Sequence, residues 1–221
     1  MRPATLFLLI LTITAISCTK TSTPAPDPNA AYQPVYQQYY VVYNRTLHTT
    51  RASCSLNMGS DTGASMNAPN DSTILINGQG DFEHYIEYDS IINIDYKLTW
   101  LNRVRYNHVS ADQVSSIGFS PATPAIMDRD TATTFYWEGA PLAANEKGLL
   151  MYTHIATAST RFLNFTDSTI TFTKQMLSIL AAGQYTFALT RTAYLPLQQA
   201  DSTAGGEIVI RLQAERSMMM K

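Results

Sequence analysis

Only two cysteines occur in 221 residues, Cys18 and Cys54, so at most one disulfide can form and no stapled miniature fold is available. They form no Cys-x-x-Cys pair, and the four histidines (His48, His84, His108, His154) stand isolated from one another, which removes the local signatures of zinc binding and dithiol chemistry. Neither a Gly-x-Ser-x-Gly elbow nor a glycine-rich phosphate loop is present. Charge is scarce too. Charged residues make up 14% of the chain, the formal net charge is −2, and no basic run exists to serve as a nucleic-acid footprint or a polybasic membrane patch. Beyond residue 17 no apolar stretch approaches the roughly 20 residues of a membrane-spanning helix, so the mature chain is not expected to be integral. No catalytic residue, metal ligand or cofactor is therefore expected, and the chain reads as a non-enzyme.

What is present begins at the N-terminus. Arg2 supplies a positive start, Leu6 to Ile16 form an apolar core interrupted only by Thr12 and Thr14, and Ala15-Ile16-Ser17 is a small-residue processing site, together an export signal over residues 1–17. The following Cys18 gives this segment a second meaning. An apolar residue, two small or β-branched residues and a cysteine resemble the lipobox of bacterial lipoproteins, and the run Ser17-Cys18-Thr19-Lys20 resembles lipoproteins of the Bacteroidota type. The resemblance implies that Cys18 becomes the new N-terminus and carries a diacylglycerol thioether and an N-acyl chain. At about 0.8 kcal/mol per buried CH₂, such an anchor would hold the chain permanently to a bilayer.

Ala15 stands where that family usually has Leu, and Ala15-Ile16-Ser17 also suits a peptidase that would release a secreted protein with a free Cys18. In the secreted form Cys18 and Cys54 could pair; in the lipidated form Cys54 is an odd thiol. Cys54 sits in Ala52-Ser-Cys-Ser-Leu56, where alternate residues are apolar, and is expected on the buried side of a strand. Residues 18–34 are rich in Thr and Pro and read as a tether. At about 3.1 Å per residue in an extended state, the stretch after the cysteine would span on the order of 40 Å. Lys20 and a distant Asp27 follow the cysteine where surface-exported relatives carry acidic residues, so the facing of the membrane stays open between periplasm and surface.

The remaining chain has a period of two. Ile92, Ile94, Tyr96, Leu98 and Trp100 fall on one side and Asn93, Asp95, Lys97 and Thr99 on the other, which predicts a half-buried strand with Arg103–Tyr106 as its hairpin partner. Thr73–Ile76 runs into Asn77-Gly78, a turn pair. Further alternation occurs at Thr133, Phe135 and Trp137; at Leu149, Met151, Thr153 and Ile155; at Ile170 and Phe172; at Tyr185, Phe187 and Leu189; and at Ile208, Ile210 and Leu212. Only Lys174–Leu180 has helical spacing. Phe119–Pro124 interrupts the pattern and predicts a boundary between two β-sandwich domains, 35–119 and 120–221.

Leu180-Ala-Ala-Gly-Gln-Tyr185 resembles the corner before the penultimate strand of immunoglobulin-like and fibronectin-like domains, in which a Tyr bonds back to the backbone. Together with the tandem layout, the chain resembles Bacteroidota envelope lipoproteins with two immunoglobulin-like sandwiches, which implies an all-β fold of two antiparallel sandwiches and no particular activity.

Chemistry has few candidates. Asp61-Thr-Gly-Ala64 matches the tetrapeptide around an aspartic-protease carboxylate, but its Ser- and Pro-rich flanks read as a turn. Asp81, Glu83, Glu87 and Asp89 share one parity and could present carboxylates to Ca²⁺ or a glycoside; a solvated strand face is the plainer reading. Tyr32, Tyr36, Tyr39, Tyr40 and Tyr43 could stack on sugars or serve simply as strand residues. Expected partners are thus the bilayer, through acylated Cys18, and an envelope protein or glycan, without nucleic acid and with the oligomeric state open.

Overall fold

The structure is a computed structural model and describes residues 35–57, 65–67, 73–75, 81–100, 103–167, 169–201 and 204–221. The predicted cysteine anchor, the tether, the Asp61–Ala64 tetrapeptide and the Asn77-Gly78 turn lie outside these. The fold is all-β, a sandwich of open sheets with one short α-helix among the described residues.

Its base is a single large sheet. Side by side run β12 (Thr160–Phe165), β11 (Glu146–His154), β14 (Gly183–Pro196), β15 (Gly206–Met220), β1 (Tyr36–Asn44), β2 (Thr49–Asn57) and β5 (Asp81–Tyr88), and β9 (Ile126–Met127) joins the far end of β15. All path neighbours are antiparallel except β1 and β15, which pair in parallel with Tyr39 opposite Ile208, Val41 opposite Ile210 and Tyr43 opposite Leu212. The segments expected as domains 35–119 and 120–221 therefore both contribute strands to one hydrogen-bonded sheet.

Alternation decides which face of that sheet is covered. Tyr39, Val41 and Tyr43 of β1, Ala52, Cys54 and Leu56 of β2, Phe187 and Leu189 of β14, and Ile208, Ile210 and Leu212 of β15 all turn inward and are buried. Two smaller sheets lie over them. One is β4 (Thr73–Leu75), β3 (Ser65–Asn67), β6 (Ile94–Trp100) and β7 (Arg103–Val109); the other is β13 (Thr169–Phe172), β10 (Thr133–Glu138) and β8 (Gly118–Phe119). The first is pinned by Tyr96, stacked on Tyr39 with centroids 4.2 Å apart, and by the Tyr43 hydroxyl donating to the Val109 carbonyl at 3.2 Å. The second is pinned by Phe172 against Phe187 and Tyr152, and by Trp137 against Phe165.

The strand whose alternation starts at Ile92 begins at Ile94, and its partner β7 follows in antiparallel register as expected. One prediction of facing is corrected. In β11 the inward residues are Leu150 and Tyr152, while Leu149 and Met151 look out; both sets are apolar, so alternation alone could not choose between them. The helical segment is α1 (Lys174–Ser178), capped by Thr173, whose hydroxyl accepts from the Met176 N–H at 3.2 Å. It leads to the corner anticipated in the sequence. There Tyr185 donates from its hydroxyl to the Ala181 carbonyl at 3.1 Å, and Gly183 takes a φ of +139° that a side chain would resist.

The edge of β7 is closed by amide side chains rather than by a strand. In the connection from β14 to β15, Gln199 accepts from the Tyr106 N–H at 2.9 Å. Gln198 accepts from the His108 N–H at 2.8 Å and returns a bond to the His108 carbonyl at 2.9 Å. Two glutamines thus imitate the backbone of a missing neighbour, which protects an otherwise open edge.

Candidate functional site

Of the carboxylates singled out in the sequence, Glu87 and Asp89 have described side chains. Glu87 stands opposite Arg51 in the β2–β5 register and binds it at 2.9 Å, an exposed cross-strand ion pair. Asp89 lies exposed just past the end of β5, and Asp81 and Glu83 occupy β5 positions whose side chains are outside the description. No cluster of three or more His, Cys, Asp or Glu occurs among the described residues.

The histidines are likewise dispersed. His48 is exposed in a turn at φ +56°, and His108 is exposed with Nδ1 2.7 Å from Asp95. His154 is buried below Tyr185, with Nδ1 2.8 Å from the Thr157 hydroxyl; the side chain of His84 is not among those described. Cys54 is buried, as its parity predicted.

Of the clustered tyrosines, Tyr39 and Tyr43 belong to the core, where burial pushes both phenols well up. Tyr40 points the other way, onto the face of the large sheet opposite the core. Burial raises its phenol and the neighbouring Tyr194 adds to the rise, while the Arg211 guanidinium opposes it.

That face carries an ordered arrangement. Pairing register places Lys147 of β11, Thr192 of β14, Arg211 of β15, Val42 of β1, Arg51 of β2 and Glu87 of β5 in one row across six strands. Cationic positions occupy every second strand, about 9–10 Å apart from Lys147 to Arg211 and again from Arg211 to Arg51. In the adjoining row Tyr194 and Tyr40 flank Val209 with the same two-strand interval.

The two rows are joined by ring contacts. Arg211 lies over the Tyr40 ring at 5.2 Å and bonds the Thr192 hydroxyl at 3.3 Å, and the Lys147 ammonium lies over the Tyr194 ring at 5.0 Å. Neither Arg211 nor Lys147 has a carboxylate within ion-pair distance among the described residues. A depression of about 290 Å³ opens between Tyr40, Arg211, Arg51, Ser53 and Gln213.

On β15 the same face carries Glu207 and Glu215, each four residues from Arg211, or roughly 13 Å along the strand. Both are already engaged. Gln38 donates to Glu207 at 2.6 Å, and Asn44 and Gln213 donate to Glu215 at 2.8 and 2.7 Å. Sequence reasoning missed this row. Arg211 is visible in the sequence as the polar residue between Ile210 and Leu212, but Lys147 and Tyr40 become its neighbours only through strand pairings set by distant segments.

No protein-family model matches the chain, and no curated protein matches it. Among solved structures, one from work on the host-cell surface retention of a 1.5-MDa bacterial ice-binding adhesin has 8% identity and a TM-score of 0.28. That alignment covers 84% of this chain, which spans 65% of the adhesin chain's length. A cytokine receptor complex also gives 8% identity and a TM-score of 0.28, over 81% of this chain and 94% of that one. At such scores neither likeness carries weight for fold or function.

Proposed function

We propose that this protein is a non-catalytic lipoprotein of the cell envelope, held to the outer membrane through acylated Cys18 and serving as a binding or assembly module through the edges and loops of its sandwich. The observation that carries the binding role is β12. It closes one side of the large sheet, pairs only with β11 among the described residues, and leaves Phe162 64% exposed. An open edge bearing an exposed aromatic is suited to receive an added strand or a partner surface. The anchoring role rests on the export signal and on the resemblance of Ser17-Cys18-Thr19-Lys20 to a lipobox.

Two measurements test the reading. Labelled palmitate should enter the wild-type protein and not Cys18→Ala, and only the wild type should sediment with membranes. If both fractionate alike, anchoring is refuted and the secreted form stands. A photo-cross-linker at position 162 should give a discrete envelope adduct that Asn164→Pro, which disturbs the edge backbone, removes; an unchanged adduct refutes edge binding.

A further inference from the structure

We propose that the face of the large sheet opposite its core binds an acidic polysaccharide, laid across the strands so that carboxylates one disaccharide unit apart meet Arg211 and Lys147 while sugar rings rest against Tyr40 and Tyr194. This inference names a ligand for the binding module proposed above and rests on that reading.

Charge and spacing point to the ligand. Lys147 and Arg211 are cations without carboxylate partners among the described residues, so an anion meets them without breaking an existing ion pair. Their interval of about 9–10 Å, two strand spacings, is comparable to one disaccharide unit of an extended glycan. Duplex nucleic acid carries a phosphate charge every ~1.7 Å of its axis, far denser than this row, and an anionic membrane surface is held by clusters of four or more basic residues.

The backbone excludes peptide addition at this place. β14, β15, β1 and β2 are interior strands whose main-chain groups are paired on both sides, so an occupant is read by side chains alone. Tyr40 and Tyr194 offer amphipathic rings, suited to the C–H faces and hydroxyls of a sugar. Glu207 and Glu215, to either side of Arg211 along β15, repel an anion that strays along the strand and confine it to the row. Glu87, paired with Arg51, ends the row on the β5 side.

Binding of polygalacturonate oligomers to the detergent-solubilised full chain, followed by titration calorimetry at low and at physiological salt, tests this. Binding is expected at low salt and should weaken as salt screens the contacts, with neutral dextran and polyglutamate giving none. Arg211→Gln and Lys147→Gln should each weaken it roughly tenfold, and Tyr194→Ala comparably, with unchanged melting temperatures. Lys147 is exposed at the end of the row, so its substitution keeps the test valid if Arg211→Gln fails to fold. Lys174→Gln, whose residue pairs with Asp130 away from this row, should bind as the wild type does.

Absence of polygalacturonate binding, equal binding of polyglutamate, or wild-type affinity in Lys147→Gln would each overturn the proposal. The two readings fail separately. A protein that binds the glycan but neither sediments with membranes nor takes up palmitate refutes the lipoprotein and leaves the site standing.

Discussion

Replacing Arg191 by methionine probes the largest fully buried side chain among the described residues. Arg191 is 1% exposed and its partner Glu146 7%. The guanidinium donates to the Ala140 carbonyl at 2.7 Å, to the Pro141 carbonyl at 3.0 Å and to the Glu146 carboxylate, and lies 5.8 Å from the Trp137 ring. It thereby ties the connection between β10 and β11 down onto β14. Methionine keeps most of the stem and removes every donor, leaving Glu146 with the Ala143 N–H at 2.7 Å. Removing one partner of a buried pair costs about 3–5 kcal/mol, because the other charge stays behind. At roughly 2–4 °C per kcal/mol for a body of this size, the midpoint should fall by roughly 6–20 °C.

The loss should depend on pH. Burial pushes the Glu146 carboxyl up, but the Arg191 hydrogen bond, the Ala143 N–H and the Arg191 charge together outweigh it and hold the group below its ordinary 4.5. A depressed carboxylate stabilises the fold above the unfolded value, and that contribution disappears as pH falls through the folded one. In Arg191→Met the lowering by arginine is gone and burial acts more strongly, so protonation relieves the stranded charge. The gap between variant and wild type should therefore be full at pH 7 and narrow below about pH 4.5. The double variant Arg191→Met/Glu146→Leu removes both charges and should recover more than half of the loss. Urea unfolding followed by tryptophan fluorescence and circular dichroism reads all of this. A single variant within about 1 kcal/mol of wild type at pH 7, well short of the loss for a broken buried pair, or a double variant no better than the single, would refute the reasoning.

Three further outcomes are expected. In Gly148→Ala the new methyl would lie 2.6 Å from Cζ and 2.7 Å from Cδ2 of the Phe165 ring, so a loss of about 1–3 kcal/mol should appear in urea unfolding. Gln198→Ala/Gln199→Ala uncovers the N–H groups of Tyr106 and His108, and light scattering should detect self-association that the wild type does not show. Cys54 is 3% exposed, so maleimide should modify it only at the rate of unfolding; rapid labelling of the native protein would contradict its placement in the core.

The parts of the fold legible in the sequence are those where one face is apolar and the other polar. The hairpin of β6 and β7, the inward Phe135 and Trp137, and the Tyr185 corner all follow from spacing and local turn chemistry. β11 was not legible in its facing, because Leu149 and Met151 compete with Leu150 and Tyr152 for the inward side. The pairing of β1 with β15 has no local signal, since its hydrogen-bonded partners lie some 170 positions apart along the chain. The same gap hides the candidate site: Lys147, Arg211 and Tyr40 are unremarkable singly and gain meaning from register. Glu87 illustrates the converse, an apparent carboxylate candidate whose opposite number, Arg51, is set by pairing.

The parallel seam between β1 and β15 also governs when the protein can become itself. Until Gly206–Met220 is in place, β1 and β14 each lack a neighbour at the middle of the sheet, and neither half can finish its core. Folding of this sheet must therefore wait for Gly206–Met220, and the slow, long-range closure that this demands leaves a nascent chain pliable until that strand has been made.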